Sequence, residues 1–163
     1  MTDSIRFILA YPNVWTPFLA IIIGVITAFM YSQSVAENIL RWFMLLTVGL
    51  LGIEGFIMHA FFGDYTAKLI GWTDSPFQFE VAIANLSFGV LGILAFVKRH
   101  FEFYLATGIG FAIWLFGDGI GHVYQMVVAH NFAPYNAGTI VFTDLLLPVF
   151  TLLLLAFAKR RIR

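Results

Sequence analysis

Cysteine is absent from all 163 residues. Its absence excludes disulfide exchange, thiol nucleophiles, thiolate-bound zinc and iron–sulfur clusters, and with them the quinone-linked thiol oxidoreductases of membranes. Charge is scarce too. Asp, Glu, Lys and Arg make up 11% of the chain, against about 25% in a soluble domain. Nine basic residues balance nine acidic ones, so no excess of positive charge draws the chain to nucleic acid. The opening residues Met1-Thr2-Asp3-Ser4-Ile5-Arg6 lack the basic start and small-residue cleavage site of a secretory leader. No internal repeat, linker or low-complexity segment interrupts the sequence, and residues 1–163 read as one domain.

What fills the chain instead is apolar. Hydrophobic residues account for 61% of it, and 19 of them are Phe. That surplus has to face lipid. A helix crossing a bilayer needs about 20 mainly apolar residues, and five stretches meet the requirement: 14–31, 40–62, 77–97, 101–129 and 139–158. The expected fold class is therefore all-α, an integral membrane bundle of five transmembrane helices. A short interfacial helix is expected over 4–11. Thr16-Pro17 reads as a helix N-cap and first helical residue, and Ser75-Pro76-Phe77-Gln78 as a capping box opening the third span.

Basic residues orient the bundle. Arg41, Lys98, Arg99, Lys159, Arg160, Arg161 and Arg163 lie on one side, and Arg6 and Lys68 on the other. The positive-inside rule then puts the N-terminus outside and the C-terminus inside. The expected location is a prokaryotic cytoplasmic membrane. The loop over 130–138 lacks Lys and Arg, as an outside loop does.

With that orientation, the polar residues of the spans gather in the outer leaflet: Glu54, His59, Gln78, Glu80, Asn85, Asp118, His122, Gln125 and Asp144. Ionisable groups in hydrocarbon are costly, face the bundle interior and mark function. Asp118-x-x-x-His122 is the sharpest local motif, because positions i and i+4 share a helix face and Gln125 extends the stripe. Gly117-x-x-x-Gly121 around it predicts a close helix approach. Glu54 also lies between glycines, Gly52 and Gly55. Pro148 has no N–H for the carbonyl of Asp144, which leaves an oxygen beside that carboxylate. His59 sits about 140° around the helix from Glu54 and is a secondary candidate.

Carboxylates and imidazole from several helices make a metal-ligand set. Glu54, Glu80, Asp118, His122 and Asp144 are the expected ligands, with Glu54 and Asp118 as catalytic groups. Oxygen-rich coordination without thiolate favours iron, manganese or zinc, in a mononuclear or dinuclear site. The Glu-x-x-His pair of ferritin-like bundles is missing. Such a metal would activate water or dioxygen against a lipid or other hydrophobic small molecule, with Trp72, Gln78, Asn85 and Gln125 lining the substrate. Three alternatives stand beside this reading: a proton- or ion-coupled transporter or relay, a haem ligated by His59 and His122, and a non-catalytic structural or ligand-binding subunit. A homo-oligomer is compatible with each.

The run Gly71-Trp72-Thr73-Asp74-Ser75-Pro76-Phe77-Gln78-Phe79-Glu80, then Asn85, then Gly117-Asp118 with His122, resembles a family of small prokaryotic multi-pass membrane proteins of unknown function. The likeness runs from about residue 40 onward and implies no activity.

Overall fold

The computed structural model describes residues 11–159. The helix expected over 4–11 lies outside the described residues, Tyr11 apart, as do Arg160, Arg161 and Arg163. The described residues are all-helical, without strands. Helix α1 spans Pro12–Met30, α2 Val35–Phe61, α3 Gly63–Ile70, α4 Phe77–Lys98, α5 Phe101–Val128, α6 Pro134–Ala137 and α7 Thr139–Lys159. Five helical stretches are long and apolar enough to cross a membrane: α1, α2, α4, α5 and the run Pro134–Ala158. Phe18, Phe29, Ile113 and Leu146 are among many large apolar side chains left exposed on them. A water-soluble monomer does not carry apolar surface on that scale. The chain is an integral membrane protein.

The starts of α1 and α2 and the cap of α4 differ from expectation, α2 beginning at Val35. Helix α1 begins at Pro12, with Pro17 inside it. Pro12 occupies the first turn, where a missing N–H costs nothing, so the helix starts before Thr16, which is buried. The capping box at α4 does not form. Pro76 is the N-cap residue and no side chain caps the helix, because the Gln78 side chain bonds His59 instead.

Helix α2 is not uniform. Its central six residues, Met44–Gly49, wind as a π-helical turn. Gly92 of α4 packs there so closely that a Cβ on it would lie 2.6 Å from the Met44 carbonyl oxygen. One turn further along α2, a Cβ on Gly52 would collide with the backbone of Gly89 and Asn85. Small residues thus bring α2 and α4 backbone to backbone, as van der Waals packing between membrane helices requires. The core below is apolar, built on Leu40, Phe43, Met44, Val48, Phe111, Leu147 and Leu155. Phe43 meets Phe111 and Phe150 edge-on, at centroid distances of 6.5 and 5.5 Å.

Helix α3 was not foreseen. It follows a break at Phe62 and ends at Gly71, whose φ of +79° is a left-handed C-cap. Asn131 completes that cap from a distant loop, donating from Nδ2 to the Ile70 carbonyl at 2.9 Å.

Candidate functional site

Asp118 and His122 stand one turn apart on α5. What brings α7 to them is Gly119, where a Cβ would lie 2.9 Å from Leu145 and 3.3 Å from the Asp144 Cβ. The expected seam was Gly117-x-x-x-Gly121. Neither of those glycines has an atom within 4 Å of its would-be Cβ, since both lie on the opposite side of the helix from Gly119. The close approach exists, but the middle glycine makes it.

That approach sets His122 Nε2 3.7 Å from Asp144 Oδ2, with both side chains buried. The other ring nitrogen, Nδ1, lies 2.8 Å from Asn136 Oδ1. The Asn136 amide nitrogen donates to the carbonyls of Asn131 at 2.8 Å and His122 at 3.4 Å. These bonds identify the amide oxygen as the one facing the ring. An amide oxygen only accepts, so Nδ1 carries the proton and Nε2 faces Asp144 with its lone pair free in the neutral ring. The Trp72 ring stacks on His122 at 5.8 Å and 24°.

The loop 130–138 supplies this support. Asn131 Oδ1 accepts from the Ala133 N–H at 3.1 Å, and Pro134 opens the short helix α6 that carries Asn136, which is fully buried. From Ile70 through Asn131 and Asn136 to His122 the hydrogen bonds are continuous. They tie α3 to the α5–α7 pair over the site.

His122 and Asp144 line a cavity of about 210 Å³, together with Glu54, His59, Asn85, Asp118 and Tyr135. Its remaining wall is largely apolar, including Leu51, Phe88, Phe111, Trp114, Leu115 and Leu147. Asp118 and Asp144 bring two carboxyl groups to the same wall. Asn85 donates from Nδ2 to the Val81 carbonyl at 3.0 Å and packs its side chain against Gly55.

The expected residues therefore separate into two groups. Glu54, Asn85, Asp118, His122, Asp144 and the secondary candidate His59 share one cavity, Glu54 with much of its surface exposed. Glu80 does not join them. It is exposed, because Gln78 points inward and a residue two places later lies about 200° around the helix. Gln78 is buried but sits behind His59, bonded to its Nδ1. Trp72 covers the back of His122 and is absent from the cavity wall, as is Gln125, whose carbonyl accepts from the N–H groups of Ala129 and Asn131. Among the described residues, no group of three or more His, Asp or Glu side chains is arranged to hold a metal ion. Asn136 and Tyr135 escaped sequence reasoning. Pro134 signalled a helix start in their loop, but no spacing linked that loop to His122.

These features define a polytopic all-α membrane protein with a small, largely apolar cavity that holds a cluster of polar side chains. The chain belongs to a family of unknown function (DUF6790), whose model matches residues 12–163 and so takes in all five spans. No curated protein and no solved structure matches it.

Proposed function

We propose that the cavity takes up a small amphipathic molecule within the membrane, and that His122 and Asp144, with Asp118, exchange a proton with its polar end. The observation that carries this is a buried imidazole–carboxylate pair in the wall of an otherwise largely apolar cavity. At 3.7 Å the pair is too far apart for a direct hydrogen bond and close enough to share one hydroxyl or water between them. His122 Nε2 is the acceptor, because Nδ1–H is held by Asn136. A volume of about 210 Å³ is below the roughly 300–1,000 Å³ of drug-sized pockets. It favours a small molecule, or the end of a lipid, over a haem.

A divalent ion on His122 and Asp144 is the second reading. The 3.7 Å gap suits one ion bonded to both at about 2.1 Å. The Nδ1–H···O bond is the usual outer support of a metal-bound imidazole. Iron, manganese and zinc fit the donors, and a dinuclear centre would draw on Asp118 and Glu54. Among the described residues no third donor converges on the pair, which ranks this reading below the first. Transport ranks lower still, since Phe43, Phe111 and Phe150 pack across the bundle beneath the cavity. The N-outside orientation, which rests on the Lys and Arg distribution, makes this an outer-leaflet site.

The test is to analyse detergent-purified protein for bound organic molecules and for metals, beside His122→Ala and Asp144→Asn. A small organic ligand present in the wild type and lost from both variants supports the first reading. Near-stoichiometric metal lost from both moves the conclusion to the second. Identical contents in all three proteins sink both.

A further inference from the structure

A second cavity lies at the other end of the bundle, independent of the first. It is an open pocket of about 290 Å³ between Gln33, Ser34, Glu37, Asn38, Arg41 and Arg99. Along α2, Arg41 and Glu54 are separated by about 20 Å, so the two cavities lie in opposite leaflets. Helix α2 has 27 residues and is about 40 Å long, against a hydrocarbon core of about 30 Å. Its first turns therefore reach the headgroup region, and the pocket with them.

Arg41 is fixed in place. Its Nε–H donates to the Phe96 carbonyl at 3.3 Å. Its guanidinium lies 4.2 Å from the Phe96 ring centre and 5.9 Å from that of Trp42. Trp42 is itself held by an indole N–H bond to Thr27 Oγ1 at 3.1 Å. The terminal donors of the guanidinium fork remain, and neither Arg41 nor Arg99 has an ion-pair partner among the described residues. Two arginines and one glutamate leave the pocket with a net positive charge, and a planar guanidinium held rigid is matched to phosphate oxygens.

We infer that this pocket binds the phosphate of a phosphodiester at the membrane surface, with Arg41 and Arg99 on the phosphate and Glu37 and Ser34 receiving a hydroxyl or ammonium of the headgroup. Basic pockets between membrane helices bind anionic headgroups in this manner. A lipid headgroup and free phosphate share the recognised chemistry.

The experiment titrates the full chain in neutral maltoside detergent with dihexanoyl phosphatidylglycerol, dihexanoylglycerol and inorganic phosphate, read by native mass spectrometry. The expected result is binding of the phosphatidylglycerol and not of the phosphate-free diacylglycerol. Arg99→Gln should weaken it about fivefold, the scale of one basic residue against an anionic headgroup. Glu37→Gln should strengthen it. Arg99 is exposed, so its replacement leaves the fold intact even if Arg41→Gln does not. Competition by inorganic phosphate at comparable concentration would assign the site to free phosphate and overturn the phosphodiester reading, and its failure to compete would support a lipid headgroup. Equal affinity of wild type and Arg99→Gln, or equal binding of the diacylglycerol, would overturn the inference.

Discussion

Asn136 sets the tautomer of His122. Its side-chain oxygen receives the Nδ1 proton at 2.8 Å, while its nitrogen donates to the carbonyls of Asn131 and His122. Nε2, the atom facing Asp144, is left as the acceptor. Nitrogen-15 NMR of histidine-labelled protein should show His122 protonated at Nδ1 when neutral. Asn136→Ala leaves the ring N–H and the Asn131 carbonyl unpaired in a buried place, at a cost of about 1–3 kcal/mol. It should lower the thermal unfolding midpoint in detergent and release the tautomer preference.

The glycines make a sharper test of the helix packing. A Cβ on Gly52 or Gly92 meets backbone of the facing helix, which has no way to yield. Either change to Ala should destabilise by about 1–3 kcal/mol. Gly117→Ala and Gly121→Ala meet open space and should be neutral, or stabilising by up to about 1 kcal/mol from helix propensity. Equal midpoints for all four variants would contradict the helix crossings described above.

Glu80 and Asp118 are both acidic residues of the expected ligand set, yet only Asp118 reaches the cavity. Glu80→Gln should leave the bound ligand or metal content of purified protein at the wild-type level. Asp118→Asn should reduce it at least severalfold. Parallel losses would mean that Glu80 belongs to the site after all.

Orientation is open to a direct test, because the chain has no native cysteine. Asp74 and His100 are both exposed, at opposite ends of α4. Asp74→Cys should react with a membrane-impermeant maleimide in intact cells, and His100→Cys only after permeabilisation. The reverse pattern would turn the protein over and move the His122–Asp144 site to the inner leaflet.

The five spans were legible in the sequence because burial in lipid needs only length and apolar composition, both local properties. Their ends were read to within a few residues, except where α2 starts five residues earlier, at Val35. Asp118 and His122 were legible as a pair because four residues is nearly one helical turn. Glu54 and Asp144 were found by the cost of a carboxylate in hydrocarbon, which does not depend on what lies opposite. Glu80 lies outside the cavity wall, which its sequence position could not show. Its charge is as visible in the sequence as theirs, but its direction depends on which face of α4 meets α2.

Only tertiary structure decided the rest. The approach of α7 to α5 turns on Gly119 and not on the Gly117-x-x-x-Gly121 pattern around it, since a glycine pattern carries no information about which side a neighbour occupies. The partnership of His122 with Asn136, and of Asn131 with Ile70, joins residues 14 and 61 positions apart. No periodicity links such positions. The sequence by itself determined a bundle of five apolar helices with polar groups set into its spans. Which of them share a cavity, and which nitrogen of His122 faces it, followed from how the helices and the 130–138 loop close around them.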